Sequence, residues 1–305
     1  MVIHTLWVGL AKAYLRLAPA FPSPDYLPLD QLTLESGLGR AQEEFNDELT
    51  SGFLKLFENR PLPIGKTLLD LGCGFGGRTV AFQQKIQGTT IGIEIDQRIV
   101  DCAREFARRK EIANVSFVAG VGESLPFESA SLDAIFCYDV FEHVQNPQQC
   151  LAECFRVLKP GGEFWLVFPP YHHPTGAHLE GYVSHMPYAS VLFSASTLLQ
   201  AIDEILASRK GTFQPLALYP GHILYSLNGL TIRSFRAMLR QSGFQVDFLT
   251  CLPLFTKANR RYQAWKMKYY GWFFVWLATI PFVQEMFTHR VVTVLRKPGR
   301  MKNEE

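Results

Sequence analysis

A chain of 305 residues is long enough for one large domain carrying insertions or for two small ones. Hydrophobic residues make up 48 % of it, which excludes wholesale disorder, and a formal net charge of +2 gives no global pull toward nucleic acid. The six cysteines, Cys73, Cys102, Cys137, Cys150, Cys154 and Cys251, form no C-x-x-C pair and no zinc spacing, so they read as reduced thiols of a cytoplasmic protein.

The first residues, MVIHTLWVGLAKAYLRLAPAF, lack a basic leader and are interrupted by Lys12 and Arg16, so they do not read as a signal peptide. Leu6, Leu10, Ala13, Tyr14 and Leu17 recur at helical spacing and predict an amphipathic helix. A Pro-rich connector is expected over 19–34. A helix is expected over 39–60, with Glu43, Glu44, Asp47 and Glu48 beside a Leu/Phe stripe. After the breaker RPLPIG, short apolar strands alternate with helices: KTLLDLG, a helix over 77–87, TTIGIEID, a helix over 97–112, VSFVAG, LDAIFCYD, a helix over 146–158, then GGEFWLVFPP. TIRSFRAMLRQSGFQVDFLTCL reads as a helix, a turn at Gly243 and a strand, and THRVVTVLRKPG as a final strand. The fold class is therefore α/β: a doubly wound, seven-stranded, mostly parallel sheet, with helical insertions after the fifth strand and between the sixth and seventh.

The loop LLDLGCGFGG follows the first strand. Gly72, Gly74 and Gly77 satisfy G-x-G-x-x-G, and Glu94 closes the next strand. That pattern fits NAD or another adenosine compound, because glycines admit a ligand close to backbone N–H groups and the acid accepts ribose hydroxyls. Asp70, two residues before Gly72, suits a cationic ligand group and would repel a pyrophosphate. Downstream, ESLPF precedes a strand opened by Leu132-Asp133, and a Lys-Pro-Gly-Gly turn leads into the fifth strand.

Taken together, LLDLGCGFGG, IGIEID, ESLPF, LDAIFCYDVFEHV and RVLKPGGEFWLV resemble the class I S-adenosylmethionine-dependent methyltransferases of the broad type-11 group. The resemblance is dense over about 66–169 and resumes at about 230–250. It implies that S-adenosyl-L-methionine is the cofactor and methyl transfer the reaction. It also implies that Gly72, Cys73, Gly74 and Gly76 give backbone room for the methionine part, with Asp70 near its ammonium. Glu94, with Ile95 beside it, would take the ribose hydroxyls. Many relatives place an acid for the adenine amino group where this chain has Val121, so Gly122, followed by Glu123, would bond the ring instead. Tyr138 to His143 would border the methyl and its acceptor.

The expected organisation is an N-terminal helical segment (1–60), the cofactor-binding core (61–170), a substrate-capping insertion (171–229), continued core (230–255), a hydrophobic helical insertion (256–287) and the last strand and tail (288–305). Methylation of an oxygen or nitrogen needs a base. The candidates are His143, after the fourth strand, and His173 and His178, in the histidine-rich stretch that follows the fifth. No metal is assigned. D-x-x-E-H at 139–143 (Asp139, Glu142, His143), with His173 or His178, does match the donors by which some relatives hold a divalent ion.

The acceptor is expected to be a small or lipid-like molecule, with O-methylation favoured and no nucleic-acid partner. The segment 256–287 places Lys257, Arg260, Arg261, Lys266 and Lys268 before YYGWFFVWLATIPFV, which fits either a lid over the acceptor pocket or a membrane-surface contact through 262–284. Two other classes stay open on sequence alone: an NAD-dependent oxidoreductase, and a non-catalytic binding module with a methyltransferase fold.

Overall fold

The computed structural model describes residues 2–17, 32–176, 178, 183–184, 186–208, 227–254, 273, 275–281 and 283–299. They fall into two compact units. One comprises residues 33–168, 233–251 and 291–305, and the other residues 1–32, 169–232 and 252–290.

The first unit holds the sheet except residues 252–253 and 288–290 of its last two strands, in the order β3-β2-β1-β4-β5-β7-β6. Its strands are β1 (Thr67–Leu71), β2 (Thr89–Glu94), β3 (Val115–Ala119), β4 (Leu132–Tyr138), β5 (Leu158–Phe168), β6 (Gln245–Pro253) and β7 (Thr288–Arg296). Strands β3, β2, β1, β4 and β5 run parallel, while β7 pairs antiparallel with β5, Phe168 facing Val291 and Glu163 facing Arg296. The central strands are buried on both faces, which is why β1, β4 and β5 read as continuous apolar runs rather than alternating ones.

The helices start where capping chemistry permits. Asp96 caps α4 (Gln97–Arg109) by accepting the Arg98 N–H, and Asn146 caps α5 (Pro147–Val157), whose first residue is a proline. Helix α2 (Leu34–Thr50) begins earlier than the apolar stripe suggests, because Thr33 and Ser36 form a reciprocal capping box. It also ends earlier. Glu48 is fully buried, and its carboxylate accepts the N–H groups of Phe53 (2.7 Å) and Leu54 (3.0 Å), folding the chain into a 3-10 turn over Phe53–Phe57. That turn carries the aromatic surplus inward: Phe53 stacks 5.0 Å from Phe136, and Trp165 lies 5.2 Å from Phe136 and 4.8 Å from Phe57.

The second unit pairs α1 (Val2–Arg16) with α7 (Ala195–Ser208), preceded by the short α6 (Ala189–Leu192). Val8, Ala11 and Leu15 pack with Leu198, Ala201, Ile202 and Ile205. Lys12 pairs with Glu204, and the Tyr14 hydroxyl donates to the Pro187 carbonyl. The Glu285 carboxylate ties the unit together by accepting the N–H groups of His172 and Ile232, each at 3.0 Å. Among the described residues no helix is long and apolar enough to cross a membrane.

Candidate cofactor and active site

The strand order reverses between β1 and β4, and ligands of such sheets bind outside the carboxyl ends at that point. Leu71 of β1 lies beside Cys137 of β4, so the glycine loop and the Tyr138–Asp139 corner share one edge. Leu71 also faces Ile93 of β2, which brings Glu94 to the same edge.

The loop itself is fully bonded within the chain. The N–H groups of Gly72 and Cys73 both donate to the Ile93 carbonyl (2.9 Å each), and that of Gly76 to the Cys73 carbonyl (3.0 Å). Gly74 N–H donates to Glu94 Oε2 at 3.1 Å. Phe75 and Gly77 N–H groups donate to Glu44 Oε1 and Oε2, at 3.2 and 3.0 Å. Gly77 opens α3 (Gly77–Ile86), so Glu44 stands where an anion would otherwise sit on that helix N-terminus. A phosphate cradle offers unpaired N–H groups. Here the N–H groups from Gly72 to Gly77 are all satisfied, and two carboxylates line them. The dinucleotide expectation fails on that account.

The missing side chains make room chiefly for protein. At Gly72 (φ +74°) a Cβ would strike Val140, and at Gly76 (φ +81°) it would come within 2.6 Å of Ala103 and 2.8 Å of Phe117. Both positions also demand the left-handed backbone that glycine adopts without strain. The Cys73 thiol turns into the core, with burial pushing its pKa up, so only its backbone faces the loop.

Asp70 is buried, and its Oδ2 accepts the Thr79 hydroxyl at 2.6 Å. Burial raises its pKa to about 6, against the lowering effects of Thr79 and Arg78. Burial likewise raises Glu44 to about 7, opposed by Arg78 and by the two loop N–H groups. Arg78 is the counter-charge of this cluster: its guanidinium lies 4.6 Å over the Tyr138 ring, and its Nε is 3.4 Å from Glu48. Glu94 holds a second bond, from the Ile95 N–H at 2.8 Å, and burial shifts its pKa upward. The Ile95 side chain is exposed.

At the end of β3, Val121 is exposed and bridges to Ser124, while Gly122 is buried against Cys150. Glu123 Oε1 accepts the Asn146 N–H (3.1 Å), which sets the entry to α5. At the end of β4, Asp139 holds φ at +56° and donates its N–H to Val167, a strained corner that aspartate tolerates. His143 follows, its Nε2 3.8 Å from Glu142, and burial lowers its pKa to about 4, so the imidazole is neutral at pH 7.

His173 and His178 belong to the second unit. His173 is buried, with a pKa lowered to about 3 by burial first and then by His289 and Arg290. Arg290 can only donate, so His289 Nε2 (3.3 Å away) accepts. His173 Nδ1 accepts the Thr175 backbone N–H at 3.2 Å, with the Thr175 hydroxyl 3.1 Å away, and its Nε2 lies 3.2 Å from His289 Nδ1. Both ring nitrogens of His173 are thereby engaged within the unit. His178 adopts φ +49° and donates its N–H to the Thr175 carbonyl. His185 lies outside the described residues, as does most of 256–287.

Sequence reasoning missed four of these groups. Glu44 and Glu48 stand four apart on α2, a spacing that puts both on one helix face before the loop. Arg78, directly after the last loop glycine, was the available signal for their partner. His289 carried no local signal, since it is one residue near the start of strand β7.

The fold is that of a doubly wound domain with an acidic, fully bonded loop at the carboxyl edge of its sheet. Residues 69–166 match the methyltransferase domain family. The uncharacterized methyltransferase YcgJ of Bacillus subtilis is 35 % identical over 119 residues, 39 % of this chain and 46 % of that protein. A ubiquinone biosynthesis O-methyltransferase of Coxiella burnetii is 30 % identical over 112 residues, 37 % of this chain and 47 % of that enzyme. The chain spans about half the length of these curated relatives. Among solved structures, a Haloferax volcanii complex of the Trm112 methyltransferase activator with a methyltransferase superposes at TM-score 0.52 and 17 % identity, over 87 % of this chain and 97 % of that one. Haemonchus contortus phosphoethanolamine N-methyltransferase 2, solved with S-adenosyl-L-methionine, superposes at 0.54 and 17 %, over 88 % and 58 %. At such identities the likeness is one of fold. The sheet unit carries a class I, S-adenosylmethionine-dependent methyltransferase domain.

Proposed function

We propose that the protein transfers a methyl group from S-adenosyl-L-methionine to a hydroxyl of a small or lipid-like acceptor. The observation that carries the cofactor is the glycine loop, whose N–H groups are taken by Ile93, Cys73, Glu44 and Glu94. Its acids favour a sulfonium amino acid over a pyrophosphate. When bound, the cofactor supplies an electrophilic methyl, and transfer to R–OH yields the ether, S-adenosylhomocysteine and one proton.

Within that reading the chain's residues divide the work. Asp70, Gly72, Cys73, Gly74, Gly76, Glu94, Ile95, Gly122 and Glu123 frame the cofactor along the carboxyl edge, and Tyr138 borders the methyl. His143 is the base, because a neutral imidazole on that edge can take the acceptor's proton at a ring nitrogen. The 30 % identity to a ubiquinone O-methyltransferase supports an oxygen on an apolar acceptor.

Calorimetry with S-adenosylhomocysteine and with NADH tests the cofactor, the first expected to bind and the second not. Methyl-tritiated cofactor incubated with phenolic and lipid extracts tests turnover. Binding without transfer to any fraction would favour the non-catalytic module.

A further inference from the structure

Helix α1 has two apolar faces. Val8, Ala11 and Leu15 face α7 and are buried. Ile3, Leu6, Trp7 and Leu10, with Leu17 just beyond the helix, are 73, 63, 47, 48 and 72 % exposed. At about 100° per residue these five side chains fall within an arc of roughly 100° flanking the buried face. Tyr14 shares that arc and is half-buried beside Phe193, and Trp7 stands at its margin with its ring 6.2 Å from Phe193. A surface helix of a globular protein normally turns polar residues outward, and this one turns five large apolar ones. Its polar arc is narrow, holding Arg16 and Lys12, the latter paired with Glu204 of α7, and α1 itself contains no acid.

The same unit repeats the pattern. Phe273, Val275 and Trp276 are exposed, and they follow Lys257, Arg260, Arg261, Lys266 and Lys268 in a stretch without a single acid from 255 to 284. Four of the chain's five tryptophans, Trp7, Trp265, Trp272 and Trp276, fall in these two acid-free segments. Exposed aliphatics and tryptophans in segments whose own charges are all basic are the composition of a surface that meets lipid headgroups, where the apolar side chains enter the acyl boundary and cations meet lipid phosphate. A protein partner needs no such charge bias.

We propose that the outer face of α1 docks on an anionic lipid bilayer surface, with exposed Phe273, Val275 and Trp276 as a second contact of the same chemistry. The docking surface belongs to the helical unit and is independent of the reaction assigned above.

Cosedimentation of the full chain with vesicles tests this. The protein is expected to pellet with phosphatidylcholine–phosphatidylglycerol vesicles, less with phosphatidylcholine alone, and less at high salt. The double variant Leu6→Glu, Leu10→Glu is expected to lose binding by on the order of ten-fold. It should keep its melting temperature and its response to S-adenosylhomocysteine, because both side chains are exposed. Wild-type protein left in the supernatant at low salt would overturn the proposal, as would a folded variant that pellets like the wild type. Concentration-dependent self-association that the variant abolishes, without vesicle binding, would replace the membrane with a second copy of the chain.

Discussion

Glu44 accepts the backbone N–H of Gly77 at 3.0 Å and, through its other oxygen, that of Phe75 at 3.2 Å. A side chain from α2, outside the matched residues 69–166, thereby closes the loop that begins α3. Glu44→Gln offers one acceptor oxygen in place of two and turns an N–H donor toward the loop. It is expected to cost about 1–3 kcal/mol of stability, read by urea denaturation, and to weaken S-adenosylhomocysteine binding. An unchanged midpoint and affinity would mean the loop holds itself.

The same carboxyl makes stability depend on pH. Glu44 is raised to about 7 and Asp70 to about 6, so between their unfolded values and those limits the folded protein binds more protons than the unfolded one. Their contribution is full at low pH and lost as pH rises toward 7. His143 and His173, lowered to about 4 and about 3, act in the opposite sense and remove stability as pH falls below 6.5. Glu44→Gln deletes one of these acid contributions. Its stability is therefore expected to fall more steeply than the wild type's on acidification from pH 6.5 to 4.5, measured by melting temperature across that range.

His143→Ala is expected to lower kcat by roughly 100- to 10,000-fold, as the loss of a general base does. In the wild type, kcat/KM should climb through about pH 4 from the His143 imidazole, and the variant should lack that limb. Retention of both the rate and the limb would move the base to another residue.

Much of this was readable in advance, and the failures share a cause. Strands β1, β4 and β5 announce themselves because burial on both faces leaves mostly apolar side chains in them. The glycine spacing marks a strand–helix turn for the same local reason. What spacing cannot report is where a remote side chain points. Glu44 lies 33 residues from Gly77 and reaches it through the packing of α2, so G-x-G-x-x-G looked open when its donors were in use. The His173–His289 pair, 116 residues apart, was hidden in the same way. Helix α1 was legible as amphipathic, but not that its buried face is the narrower of two apolar ones.

Gly76→Ala is expected to destabilise by about 2–5 kcal/mol, combining a left-handed backbone with overpacking against Ala103 and Phe117. Chemical denaturation reads the loss. A cost under about 1 kcal/mol would show that the turn relaxes to accept a side chain.

Val121→Asp introduces an acid where many methyltransferases of this group meet the adenine amino group. Val121 is exposed, so the carboxylate stays solvated and the fold should tolerate it. S-adenosylhomocysteine is expected to bind several-fold tighter, about 1 kcal/mol, by calorimetry. No gain would indicate that Gly122 already satisfies the ring.

A loop whose amides from Gly72 to Gly77 are all spoken for is set before any ligand arrives. The conformational entropy of ordering it falls on folding, so association with the cofactor does not bear it. Hydrogen exchange should show this directly: the amides of Gly74, Phe75 and Gly77 should be protected in the ligand-free protein, and S-adenosylhomocysteine should slow them little further.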